Sequence, residues 1–143
     1  MNSDFVLAVH AMVFLHHKTE TVSSDVLAEN ICTNPARVRR VMTKLKKAGL
    51  VETREGRTGG GYSYQKTKQV TLGDISKALN VKFANSPWKS GDIQKPCVIA
   101  SGMPYYMEQL YSELNARCEG YLNTVTIAEV EQTLMARKKN QES

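Results

Sequence analysis

The sequence of 143 residues has the length of one compact domain with an appended element, and its net charge of +5 favours a polyanionic partner. The segment 34–68 has ten Lys/Arg against two Asp/Glu (net +8), whereas the remainder has nine against twelve (net −3), so the basic surplus is local. Because neither a membrane-length apolar run nor a signal peptide is recognisable, the sequence argues against a membrane or secreted protein and predicts a cytoplasmic location.

Two helices are predicted before the basic segment. Apolar side chains at helical spacing predict the first over residues 3–17, with Ser3 as its N-cap. A polar loop follows, and Ser23 or Ser24 then caps a second helix that reaches about Asn30.

The third helix is predicted to begin at Asn34-Pro35, because Asn is a good N-cap and Pro fits the first helical position. Gly49 ends this helix, since glycine readily adopts the positive φ found just after a helix. One face of the helix is apolar and is expected to pack inward. Its residues are Val38, Val41, Met42, Leu45 and Ala48.

The opposite face of the third helix is basic and has the side chains of a DNA-reading helix. Ala36, Arg37 and Arg40 lie near its start, where arginine can pair with guanine in the major groove. Lys44 and Lys47 lie farther along and are expected to contact phosphates.

A glycine-rich turn between strand-like segments at 50–53 and 62–65 predicts a β-hairpin. After three short helices, such a hairpin is the wing of a winged helix-turn-helix domain, and Arg57 at its tip is expected to enter the minor groove or pair with a phosphate. The candidate DNA-binding residues are Ser24, Asn34, Ala36, Arg37, Arg39, Arg40, Lys44, Lys47, Arg54, Arg57, Thr58, Gly59 and Gly60.

Three further elements are predicted after the wing. Thr71 and Asp74 form the capping box of a short helix, and a long helix runs from Met103 or Pro104 to about Tyr121. Thr126 and Glu129 form another capping box, which begins the last helix. The fold class is therefore mainly α with a small β-hairpin. The predicted organisation is a winged helix-turn-helix DNA-binding domain over 1–80, an effector or sensor loop over 81–102, and a dimerisation helix with a C-terminal helix over 103–143.

The long helix predicts a homodimer. Met107, Leu110, Tyr111 and Leu114 form an apolar stripe along it, and a small winged domain has little surface left to cover that stripe. Two-fold symmetry would place two recognition helices one DNA turn apart on a palindromic operator.

Several segments together resemble the Rrf-two family of bacterial transcription regulators. They are Ser23–Ala28, Asn34–Lys47 followed by Ala48-Gly49-Leu50-Val51, then Gly59-Gly60-Gly61-Tyr62, Leu72-Gly73-Asp74-Ile75 and Thr124–Glu129. The family includes iron–sulfur cluster regulators, nitric-oxide-sensing repressors and cysteine-metabolism repressors. The resemblance implies a homodimer that is built by the long helix, binds double-stranded operator DNA and usually represses.

The number and spacing of the cysteines bear on which signal such a regulator could sense. Cluster-bearing members of that family have three closely spaced cysteines before the long helix, whereas here that region has only Cys97, so an iron–sulfur cluster ligated as in those relatives is not predicted. One cysteine from each subunit, together with other ligands, could still hold a cluster. No other cofactor or metal site is predicted. Cys32, beside the third helix, and Cys97 are candidate redox-sensing thiols. Oxidation, or a disulfide between Cys32 of one subunit and Cys97 of the other, would shift the DNA-binding domains relative to each other. The alternative is a buried structural Cys32 and an incidental Cys97. Cys118 is expected in the core.

Other functions are less consistent with the sequence. An enzyme is not predicted, because no nucleophile–base pair, metal-spaced cluster or phosphate loop is present. An RNA-binding module would offer aromatic side chains on the third helix, which has none. Control by a small-molecule or protein ligand stays open. Candidate pocket residues are Phe83, Trp88, Tyr105 and Tyr106.

Overall fold

The computed structural model describes residues 3–56, 60–65 and 67–142, with side chains through Lys139. It divides into two units, one of residues 1–81 and 122–143 and one of residues 82–121. The described elements are α1 (Ser3–Lys18), α2 (Ser24–Ile31), α3 (Pro35–Lys47), β1 (Val51–Arg54), β2 (Gly61–Tyr64), α4 (Leu72–Ala78), α5 (Val98–Leu122) and α6 (Ile127–Glu142).

Side-chain caps set the starts of the short helices. The Ser23 hydroxyl accepts the amide of Val26 at 3.2 Å, and the Asn34 side chain accepts the amide of Arg37 at 2.8 Å. Gly49 has a φ of +76° just after α3, as predicted. Ser3 is the first residue of α1, so its prediction as an N-cap is wrong.

The core of the first unit lies between α1, α2, α3 and the hairpin. The predicted inward face of α3 is confirmed for Val38, Val41, Met42 and Leu45, which are fully buried. Ala48 is exposed, contrary to the prediction, because it follows the last turn of α3 at the C-cap, where the chain leaves the helix.

The hairpin pairs β1 with β2 in antiparallel register, from Val51 opposite Tyr64 to Arg54 opposite Gly61. Its strands differ by one residue from the prediction. Val22 forms an isolated antiparallel bridge to β2: its amide donates to the Tyr62 carbonyl and its carbonyl accepts from the Tyr62 amide, both at 2.8 Å. A side chain at Gly61 would collide with the Val22 carbonyl, so this close approach of two backbones requires glycine.

The C-terminal helix α6 packs against α1 within the first unit. Ile127 is fully buried, and its amide donates to the Val70 carbonyl at 2.9 Å. Glu131 accepts from His16 at 2.5 Å and from His17 at 2.7 Å. Burial raises the pKa of Glu131, but the two histidine contacts together hold it below its usual value.

The second unit consists of a loop and most of α5. This helix begins at Val98, so the prediction of a loop to 102 and a helix from Met103 or Pro104 is wrong by five residues. Pro104 lies inside the helix and cannot donate to the Ala100 carbonyl four residues before it. The amide of Asp92 donates to that carbonyl instead, at 2.9 Å, and the helix continues.

Candidate nucleic-acid interface

The outer face of α3 is basic and open to solvent. Asn34, in the N-cap position, is exposed, as are Ala36 near the helix start and Thr43 in its middle. The cationic side chains of the same face follow around the helix. Those that are exposed are Arg39, Arg40, Lys44, Lys46 and Lys47.

Arg37 and Arg40 share one acidic partner on α1. The Asp4 carboxylate accepts from Arg37 through Nη2 at 3.2 Å and through Nε at 3.4 Å, and lies 3.6 Å from the nearest Arg40 nitrogen. The Arg40 side chain keeps 62% of its surface exposed, whereas Arg37 keeps 32%. Sequence reasoning missed Asp4, because 33 residues separate it from Arg37 and neither side chain predicts the contact.

Arg39 reaches towards α2 and the hairpin. It donates to the Ser24 hydroxyl at 3.1 Å, so a predicted DNA-binding serine orients a predicted DNA-binding arginine. Burial raises the pKa of Tyr62 on β2, and the positive charge of Arg39 opposes that shift. Residues of α2, α3 and β2 therefore meet around the guanidinium group of Arg39.

A groove separates α3 from the hairpin. Thr43 and Lys46 form one wall, and Arg54 and Gly60 form part of the other. Of the predicted DNA-binding residues, Ser24, Arg54 and Gly60 line this groove, and Arg39 contacts Ser24. The predicted residues Arg57, Thr58 and Gly59 lie outside the described residues.

The three cysteines have different surroundings. Cys32 is exposed, so its interpretation as a buried hydrophobe is wrong; its sulfur lies 3.7 Å from the Glu29 carbonyl, at the C-terminal end of α2. Cys97 is also exposed, just before α5, and hydrogen bonds from the amides of Ala100 and Ile99 lower the pKa of its thiol. Cys118 is half-buried and not in the core, because no described side chain of α5 is fully buried.

Cys97 and Cys118 of one chain are too far apart to ligate the same iron–sulfur cluster. Cys97 and Cys118 are separated by nearly the whole of α5, which corresponds to about 30 Å along the helix axis. Within the described ranges no group of three His, Cys, Asp or Glu residues is arranged to hold a metal ion. None of the described helices has the length and apolar character needed to cross a membrane.

Comparisons with known proteins agree with this geometry. The model of the Rrf2 family, described as iron-dependent transcriptional regulator, matches residues 1–133. The chain is 36% identical over 59 residues to YwnA of Bacillus subtilis (strain 168), covering 41% of this chain and 44% of YwnA. It is 29% identical over 83 residues to protein aau3 of Rhizobium meliloti (strain 1021), covering 57% and 54%. The chain therefore spans about half the length of these relatives.

Solved structures share the fold over nearly the whole chain. A protein from Lactobacillus plantarum superposes with a TM-score of 0.79 at 22% identity, covering all of both chains. T. potens IscR gives 0.66 at 21% identity, covering 94% of this chain and 87% of that one. CymR, the global cysteine regulator of B. subtilis, gives 0.65 at 18%, covering 93% and 96%. With the family match over residues 1–133, these likenesses confirm the predicted fold class, and the chain belongs to the Rrf2 family of transcriptional regulators.

Proposed function

We propose that this chain is a repressor that binds a palindromic operator as a homodimer. The observation that carries this proposal is the continuous basic face of α3, on which Arg39, Arg40 and the lysines are exposed and Arg37 is half-buried, beside the groove that separates α3 from the hairpin. A helix of this kind enters the major groove, and the wing then lies along the adjacent backbone.

The position of each cation along α3 indicates its role. Arg40 lies in the first half of the helix and is exposed, so its guanidinium can meet the two acceptors of a guanine. Lys47 ends the helix, where a flexible ammonium group is suited to a phosphate. Base selection and general affinity are therefore assigned to different ends of α3.

Asp4 adds discrimination to this face. In the free protein its carboxylate neutralises part of the charge of Arg37 and Arg40. The Asp4 carboxylate repels the phosphates of any duplex. On the operator it also holds the two guanidinium groups in position for a bidentate pair with guanine, and this offsets the repulsion. Asp4 therefore suppresses binding to random DNA more than binding to the operator.

The homodimer is assigned to the outer stripe of α5, defined as Ile99, Tyr106, Leu110, Leu114 and Tyr121. These side chains recur every four or seven residues and are exposed, Leu110 at 37% and Leu114 at 41%. Contiguous apolar surface of this extent favours burial against a second copy. Met107 and Tyr111, also predicted in the interface, are half-buried and line a cavity on another face of α5.

The thiol of Cys97 is the proposed redox signal receptor, with Cys32 as its partner. The thiolate of Cys97 attacks hydrogen peroxide, an S–O bond forms as the O–O bond breaks, and hydroxide leaves. The sulfenic acid then condenses with the second thiol and releases water. Full exposure of Cys97 and the lowered pKa of its thiol support this assignment.

The first test compares Arg40→Ala with Lys47→Ala, using an operator selected by the wild-type protein from a random duplex library. Arg40→Ala should cost about 1–3 kcal/mol on the operator and much less on random duplex, because a base contact is lost. Lys47→Ala should weaken both duplexes alike and reduce the salt dependence. Fluorescence anisotropy at several salt concentrations measures both effects, and equal losses on both duplexes for both variants would contradict the division of roles.

The second test is Asp4→Asn, which releases Arg37 and Arg40. Affinity for random duplex should rise severalfold, with a salt dependence steeper by about one phosphate contact, while operator affinity changes little. The matched control is Glu20→Gln, which removes one negative charge two residues beyond the C-terminal end of α1. An unchanged ratio of operator to random affinity in Asp4→Asn would refute the role given to Asp4.

The third test introduces a charge into the outer stripe with Leu110→Glu or Leu114→Glu. Either variant should sediment as a monomer and bind the full palindrome far more weakly, because burying an unpaired carboxylate is costly. Ala116→Glu places the same charge at another exposed position of α5, off the stripe, and should remain dimeric. Dimers of undiminished stability in both stripe variants would rule out this interface.

The fourth test oxidises the protein with hydrogen peroxide before operator binding. The wild type should lose affinity and regain it with dithiothreitol, Cys97→Ser should not respond, and Cys118→Ser should behave as the wild type. Because the pKa of Cys97 is lowered, its alkylation by iodoacetamide should keep its rate to a lower pH than free cysteine and fall only below that. A full oxidant response in the Cys32→Ser/Cys97→Ser protein would exclude thiol sensing by this pair.

A further inference from the structure

A segment of the loop is tied at two points along α5. Near one end of the helix, the Asn115 side chain accepts the amide of Ala84 at 2.8 Å and donates to its carbonyl at 3.0 Å. Near the other end, the amide of Asp92 donates to the Ala100 carbonyl that Pro104 leaves without a helical donor. We call residues 84–92 the strap.

The strap is close to its maximum extension. Ala100 and Asn115 are about 22 Å apart along the helix axis, from the rise per residue. The eight steps from Ala84 to Asp92 span at most about 26–29 Å when fully extended. The strap is therefore stretched along α5, and the space beneath it is a preformed feature of the second unit.

A cavity of about 730 Å³ lies between the strap and α5, within the size range of small-molecule sites. Apolar and aromatic side chains of the helix form its floor, with Met103, Met107 and Tyr111 on one face. Trp88 of the strap lines it as well, and the Ser86 hydroxyl fixes the Trp88 backbone by accepting its amide at 3.3 Å and donating to its carbonyl at 3.1 Å.

The charged groups of the cavity favour an anion. Lys82 and Lys89 both line it, against one carboxylate, Glu108. Trp88, the single tryptophan of the sequence, is 74% exposed, so a flat ligand in the cavity can cover its ring. Aromatic surface with two nearby ammonium groups is suited to a ring that has an acidic substituent.

We propose that this cavity binds a small aromatic anion, an organic carboxylate or sulfonate, as the effector of the regulator. Its ring would lie between Trp88 and the floor of the cavity, and its acidic group would pair with Lys82 and Lys89. Binding itself does not depend on the proposed function; only the description of the ligand as an effector rests on it.

The test uses 8-anilinonaphthalene-1-sulfonate as an aromatic anion and N-phenyl-1-naphthylamine as the matching neutral probe. Trp88 is the only tryptophan of the sequence, so energy transfer from it reports a probe that is bound in its neighbourhood. The sulfonate should saturate this signal and bind more tightly than the neutral probe. Lys82→Gln/Lys89→Gln should weaken sulfonate binding about tenfold and leave the neutral probe unchanged.

Lys95→Gln, an exposed lysine of the same unit that does not line the cavity, is the matched control and should bind both probes as the wild type does. Equal affinity for the two probes, or an unchanged sulfonate affinity in the double variant, would overturn the proposal.

Operator binding is measured separately. If the proposal on DNA fails, the probe titrations still decide whether the cavity binds anions. If the titrations fail while the operator is bound, only the present proposal falls.

Discussion

Burial of one side of α3 against α1 and α2 is the interaction on which the proposed interface depends. Val38, Val41, Met42 and Leu45 have no exposed surface, and rotating the helix would drive an arginine into that space at a cost of several kcal/mol. The apolar side therefore fixes which side chains face solvent. The caps at Ser23 and Asn34 set where α2 and α3 begin, and the hairpin is held beside them by its pairing with Val22.

Local signals in the sequence predicted most of the first unit. The Asn34-Pro35 start and the Thr71–Asp74 capping box depend on neighbours within four residues, so they are readable without the fold. The exposed cations of α3 follow from helical periodicity alone. The Asp4 contact with Arg37 was not predictable, because it depends on the angle at which α1 crosses α3, and no sequence spacing specifies that angle.

The second unit was harder to predict because a hydrogen bond from outside the helix decides where α5 begins. Proline usually begins a helix or lies beyond its end, so Pro104 predicted a helix start. In the structure a distant amide, that of Asp92, satisfies the carbonyl that the proline leaves free. The apolar residues of α5 were also assigned to one interface, whereas Leu110 is on the outer stripe and Tyr111 lines the cavity. Adjacent positions on a helix point about 100° apart. Neighbouring residues such as Leu110 and Tyr111 can therefore face different surroundings even though the sequence pattern groups them in one stripe.

The sharing of Asp4 between two arginines makes α1 part of the proposed DNA interface, although α3 is the helix proposed to enter the major groove. A recognition helix is often treated as independent of its scaffold, so that its outward side chains can be transferred to another protein. Here α3 transplanted alone would have Arg37 and Arg40 without the carboxylate that restrains them. Redesign of operator preference in this chain therefore has to treat α3 and the first turn of α1 as one unit of exchange.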